Sequence, residues 1–147
     1  MTNYSTYDLS QKPPLVSVPR NYNAAADFVD RRIDEGQADK VAFIDGGGAH
    51  TYGELQVNVN RFGNALRDIG LRNEERVMLL LVDSVNFPIT FFGAIKAGMV
   101  PVPVNTLLTA DDYDYMLRDS RARALVVSAE LLPVVSPILS QIPNLDH

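Results

Sequence analysis

Residues 93–113 read GAIKAGMVPVPVNTLLTADDY, and the placing of the two prolines in this stretch decides the fold. An apolar helical pattern stops at Gly98, residues 100–104 follow as a strand, and Thr109 opens a helix through about Asp119. Asp111 and Asp112 fall in its first turn, where acids suit the helix dipole. Proline has no amide to give a sheet ladder, so Pro101 and Pro103 need a place where none is required. Amides two residues apart point to the same side of a strand. Pro101 and Pro103 therefore blank one edge, while Val100, Val102 and Val104 keep donors for the other. The spacing predicts an edge strand paired on one side only, with Asn105 and Thr106 at its carboxyl end.

The pattern on either side is regular. Residues 77–82, VMLLLV, form a continuous apolar run of strand length, as in a parallel sheet buried on both faces. Thr51 and Glu54 make a capping box, and Leu55, Val59, Phe62, Leu66 and Ile69 then recur at helical spacing up to Gly70. Further helices are expected over 23–35, 86–97 and 130–141, the last with Pro133 early and a break or kink at Pro137. Residues 41–44 and 124–128 read as strands, and Gly46, Gly47 and Gly48 supply a turn into a short hairpin arm at 49–51. Strands alternating with helices give an α/β fold with a mostly parallel sheet over 21–147. Residues 1–20 are polar, rich in Tyr, Ser and Pro, and read as an extended or disordered arm. The pattern stops at 142–147, where a doubly wound sheet calls for its next strand, so an incomplete subdomain is expected.

Composition narrows the function classes. With 46% hydrophobic and 21% charged residues the chain can bury a core, and a net charge of −5 gives no footprint for nucleic acid or an anionic membrane. There is no cysteine, hence no disulfide, thiolate metal site or cysteine nucleophile, and His50 and His147 are too few for a histidine metal cluster. The N-terminus lacks the charged, apolar and small-residue order of a secretory signal, and the apolar stretch 87–104 is broken by prolines, glycines and Lys96. A cytoplasmic location without membrane insertion is expected.

The candidate sites are weighed against simpler roles. The triple glycine lies between a strand and a helix, yet it fits neither G-x-G-x-x-G nor a phosphate loop ending in Lys and Ser or Thr, and hairpin chemistry accounts for it. Asp111, Asp112 and Asp114 suit helix capping better than metal binding. Tyr113, Met116 and Leu117 at helical spacing suit a core. The serines 84, 120, 128, 136 and 140 lie in no nucleophile elbow, and His50 has no nucleophile beside it in sequence. Asn105 and Thr106 keep a claim on a ligand, since open α/β sheets bind at the carboxyl ends of their strands. No catalytic residue and no metal ligand is expected in this chain.

Thr51-Tyr52-Gly53-Glu54-Leu55, followed some forty residues later by Gly93 to Asn105, resembles the first two signature segments of the adenylate-forming superfamily of acyl-CoA and aryl-CoA synthetases. The resemblance runs from about Asn21 to the end, with Glu75 to Leu81 similar to the strand between those segments. Val102 to Arg123 looks most like benzoate-CoA ligases. The resemblance implies a parent enzyme several hundred residues long that uses ATP, CoA and Mg, and that joins a small aromatic carboxylate to CoA through an acyl-adenylate. It also implies that the phosphate loop, the ribose-binding acid and the C-terminal lysine lie beyond His147. The chain alone is then expected to be inactive, with no cofactor bound. Its partner is the remainder of the ligase large domain, and it has a tendency to self-associate through open edges. In some relatives a basic residue just after the segment like Pro101 to Asn105 touches the CoA nucleotide. Here Thr106-Leu107-Leu108 supplies none, which leaves Asn105 and Thr106 as candidates for CoA or the crevice rim. A fatty acyl-CoA or other aryl acid ligase remains an alternative, and so does a free-standing α/β interaction module.

Overall fold

The computed structural model describes residues 4–147. Its centre is a three-stranded parallel sheet of β5 (Arg76–Leu80), β6 (Val100–Pro103) and β7 (Ala124–Val127), in the order β6-β5-β7. The chain passes from β5 to β6 through α3 (Asn86–Ala97), then back across β5 to β7 through α4 (Ala110–Ser120). Right-handed crossovers running in opposite directions place their helices on opposite faces, and the packing follows. Val77, Leu79, Leu81, Ala124 and Val126 lie among side chains of α3 and α2 (Tyr52–Asp68). Met78, Leu80, Leu125 and Val127 lie against α4 and α5 (Leu132–Leu139). Val77, Met78, Leu79 and Leu80 are fully buried, and each contributes about 1.5–3 kcal/mol of hydrophobic stabilisation.

The prolines sit where their missing amides cost nothing. β6 is an edge strand, Val100 N donates to Glu75 O at 2.9 Å, and Val104 N donates to Leu79 O at 3.1 Å. Pro101 and Pro103 have their nitrogens on the outer side, as the alternation requires. Gly98 ends α3 in a left-handed conformation, φ 87°, and Met99 N returns to Ala94 O at 2.9 Å. Both expected helix starts form reciprocal capping boxes, Thr51 with Glu54 and Thr109 with Asp112.

A hairpin of β3 (Val41–Asp45) and β4 (Gly48–Thr51) leads into α2. On the outer side of the α2–α3 pair, Val29, Leu55 and Val59 pack with Ala42, Ile89 and Phe92. The helix expected over 23–35 is present in a different form. Ala26–Asp30 winds as a π-helix and continues into α1 (Arg31–Asp34). Its Asp27 is turned inward to partners from other segments, Ser5 and Tyr22, which periodicity does not encode.

Two further segments depart from expectation. Where residues 1–20 suggest an extended or disordered arm, β1 (Thr6–Asp8) and β2 (Leu15–Ser17) pair antiparallel; residues 1–3 of that arm lie outside the described residues. Asp8 ties down the turn by accepting from Ser10 N at 3.0 Å and Gln11 Nε2 at 3.1 Å. α5 is shorter than 130–141 and runs through Pro137 without a break. The carbonyl that Pro137 cannot serve is that of Pro133, which accepts instead from Ser136 Oγ at 3.4 Å.

α2 and α3 touch backbone to backbone. A Cβ on Gly93 would lie 2.8 Å from Phe62 Cδ1 and 3.0 Å from Val59 O, and one on Gly63 would lie 3.0 Å from Gly93 O. Gly93→Ala is expected to destabilise the fold by about 1–3 kcal/mol through overpacking. Gly46→Ala meets no atom within 4 Å and should stay within about 0.5 kcal/mol. Urea unfolding midpoints of the two variants check this, and equal shifts would refute close helix approach at Gly93.

Candidate functional site

The reversal of crossover direction across β5 creates a topological switch point between β5 and β7, the place where open α/β sheets hold ligands. A crevice of about 560 Å³ lies there, beyond the carboxyl ends of the two strands. Leu81, Val82, Val126 and Val127 form its floor, Phe62 and Ile89 one wall, and Ser84, Asn86, Thr90, Ser128 and Glu130 its polar groups. Two of those groups are already engaged. Ser128 Oγ accepts from Val82 N at 3.1 Å, and Thr90 Oγ1 donates to Asn86 O at 2.9 Å. No lysine or arginine lines the crevice. Its chemistry suits an apolar or aromatic group with a few hydroxyl and amide contacts, and it offers no cation for a phosphate.

Asn105 and Thr106 lie elsewhere, past the end of the edge strand β6. Asn105 Oδ1 accepts from Leu107 N at 2.8 Å, and Asn105 O accepts from Tyr113 Oη at 2.7 Å. Tyr113 is 1% exposed, and its hydroxyl also accepts from Leu108 N at 3.3 Å. It is both a core residue and the lock on the β6–α4 loop. Neither Asn105 nor Thr106 lines the switch-point crevice.

Of the acids expected to cap, Asp112 does so, Asp111 falls in the first turn, and Asp114 instead forms an ion pair one turn on. Asp112 completes the box with Thr109, and Asp114 binds Arg118 through both oxygens at 2.8 and 3.0 Å. Lys96, inside the opening stretch, binds Asp30 at 2.7 Å, an oxygen that Gln56 Nε2 also reaches at 2.8 Å, so it ties α3 to the outer helices. Among the described residues no group of three or more His, Asp or Glu could hold a metal.

The triple-glycine turn carries a contact that sequence reasoning missed. Asp45 Oδ1 accepts from Gly47 N at 2.8 Å and meets His50 Nε2 at 3.0 Å, while Oδ2 accepts from Val85 N at 2.8 Å, just ahead of α3. The Val85 amide first, then His50 and Gly47, hold the Asp45 carboxyl down to about 2. Asp45 thereby fastens the hairpin to the loop bearing Ser84, on the rim of the crevice. The only signal in sequence was an acid and a histidine flanking a glycine turn. A second node anchors the N-terminal hairpin. Burial drives the Asp27 carboxyl upward, but hydrogen bonds from Ser5, Tyr22 and Arg31 outweigh it and leave the group below its ordinary value. Burial and the bond to Asp27 push Tyr22 up to about 12.

Comparison with known proteins agrees with this architecture. The family model described as AMP-binding enzyme matches residues 29–146. The chain is 48% identical to the benzoate–CoA ligase of Thauera aromatica over all of its own length and 28% of that protein. It is 51% identical to the 4-hydroxybenzoate–CoA/benzoate–CoA ligase of Rhodopseudomonas palustris over 86% of its length and 23% of that protein. It thus spans about a quarter of these curated relatives. Among solved structures, the benzoate CoA ligase of Burkholderia xenovorans LB400 matches at 46% identity with TM-score 0.77, covering 81% of this chain and 24% of that one. The anthranilate CoA ligase AuaEII in complex with anthranoyl-AMP matches at 38% identity with TM-score 0.84, covering 88% and 25%.

The Asp45 node gives a pH signature. A carboxyl depressed from its ordinary 3.8 to about 2 stabilises the fold above pH 4 and loses that contribution as pH falls through 2. Asp45→Asn is therefore expected to be less stable than the parent sequence at pH 7, with the difference closing between about pH 4 and 2. Urea unfolding at stepped pH measures it. A gap that persists unchanged at pH 2 would show that the Asp45 charge is not the cause.

Proposed function

The chain belongs to the AMP-binding enzyme family, and from that membership we propose that it is the N-terminal portion of an ATP-dependent aryl-CoA ligase acting on benzoate. The observation that carries this reading is its 48% identity, over its whole length, to a benzoate–CoA ligase. Such a ligase would join a carboxylic acid to ATP with release of pyrophosphate, then pass the acyl group from AMP to the CoA thiol. The crevice and the glycine turn do not fit the phosphates of ATP or a Mg ion. The switch-point crevice has no cationic lining, the described residues hold no metal cluster, and Gly46 to Gly48 lack the lysine of a phosphate loop. No chemical step is therefore assigned to them.

This chain's part is architectural. It supplies the edge and centre of a parallel sheet, buried on both faces, on which the rest of the large domain is built. Any contact of Asn105 or Thr106 with CoA belongs to the same proposal and rests on their place at a strand end. A cytoplasmic location fits the reading, and among the described residues no helix is long and apolar enough to cross a membrane.

The longer protein is expected to catalyse benzoate-dependent exchange of pyrophosphate into ATP, and the 147-residue chain alone to show none. Isotope exchange with benzoate, 4-hydroxybenzoate, anthranilate and a long-chain fatty acid as separate arms measures it. Exchange with the fatty acid alone would reassign the substrate class, and exchange by the purified 147-residue chain would overturn its architectural role.

A further inference from the structure

The switch-point crevice has no cation, but a second cavity beside it does. About 480 Å³ in volume, it lies between α2, the end of the β3–β4 hairpin and the start of α3, and it shares Phe62, Asn86 and Ile89 with the crevice. Its other polar residues are His50, Asn58 and Arg61, and no acid lines it. Asn58, Arg61 and Phe62 stand three and four residues apart on α2 and so fall on one helix face. Phe62 and Ile89 are each packed into a core cluster, which makes them a fixed apolar wall.

The polar groups of this cavity are uncommitted. Among the described residues no hydrogen bond or ion pair engages the side chains of Asn58, Arg61 or Asn86. His50 is committed at one nitrogen only, since the Asp45 carboxylate accepts from its Nε2–H at 3.0 Å. Nδ1 is left to accept a hydroxyl when the ring is neutral, or to donate to an oxyanion when it is protonated. Asp45 also accepts from Val85 N at 2.8 Å, so one carboxylate fixes both the ring and the loop at this end of the cavity. The cavity farther along the α2–α3 pair differs, because both of its cations are held within the protein. There Arg67 donates to Ala97 O at 3.1 Å and Lys96 binds Asp30 at 2.7 Å.

We propose that this cavity binds a small organic oxyanion, a carboxylate or phosphate monoester on an apolar body, with the Arg61 guanidinium as its charge partner. A guanidinium meets either oxyanion through two parallel N–H bonds. The Asn58 and Asn86 amides and the His50 ring complete the polar surround, and Phe62 and Ile89 receive the apolar body. A volume of this size lies within the range of small-molecule sites. The chain thereby gains a binding role of its own, beyond its architectural part in a ligase.

Protection of Arg61 from phenylglyoxal, an arginine reagent, tests this on the full-length protein, with mass spectrometry reading the Arg61 peptide. At about 10 mM, a ligand of roughly millimolar affinity leaves about a tenth of the site free. Benzoate or phenyl phosphate is therefore expected to slow modification of Arg61 about tenfold, and whichever protects more names the oxyanion. Arg121, at the end of α4 on the opposite face of the sheet, should react at an unchanged rate. Benzamide, neutral and of benzoate's shape, should not protect. Equal protection by benzamide would overturn the oxyanion assignment, and equal protection by inorganic phosphate would overturn the apolar wall. No protection by either organic anion would overturn the site altogether, as would an Arg61 that does not react in their absence. Asn58→Ala puts a helix-favouring residue into α2 and is expected to weaken protection about threefold or more. Full protection in that variant would refute the assembly of the site around Arg61. The Arg61 peptide is read whatever reaction the protein catalyses, so failure here leaves the ligase reading standing, and failure of benzoate-dependent exchange leaves this site standing.

Discussion

The alternation of Val77, Met78, Leu79 and Leu80 between two helical layers governs the arrangement of the molecule. A strand with both faces buried cannot lie at the surface, so β5 takes the centre, and its neighbours must arrive by crossovers that put helices on both sides. β6 and β7 flank it in parallel. The crossover helices α3 and α4 then fall on opposite faces, and the reversal between them opens the crevice at the strand ends. Architecture and candidate site thus follow from one buried strand.

The edges of this sheet are treated differently, and the difference is chemical. Two prolines in register make β6 a terminus. β7 keeps its outward donors and already holds Asp146 and His147 against Arg123 and Leu125. An exposed row of such groups is a template for another strand. The relatives that the chain matches within the AMP-binding enzyme family are about four times as long.

The features that were legible in the sequence share one property: they are local. Thr51 with Glu54 and Thr109 with Asp112 announce their helix starts within four residues. Gly98 announces a left-handed stop, and the proline pair announces an edge. The run at 77–82 announces burial on both faces. What escaped the sequence joins distant segments. Asp45 reaches Val85, Ser5 reaches Asp27, and Gly63 meets Gly93 across two helices. The π-helix at Ala26–Asp30 belongs with these, since its Asp27 is held by Ser5, whereas the β1–β2 ladder is local but lies in a stretch whose polar composition gives no strand pattern.

The sequence by itself determined the element types from the first hairpin strand onward, the α/β class and the one-sided edge strand, because periodicity, capping and the missing proline amide act through neighbouring backbone atoms. It also carried the family resemblance in the stretch from Gly93 to Asn105. Only the tertiary structure decided which strands flank β5, that Asn105 lies in a locked turn away from the switch-point crevice, and that Asp45 holds the hairpin to the loop before α3. Those are settled by contacts between residues far apart in the chain, whose energies depend on burial and direction that no local pattern contains.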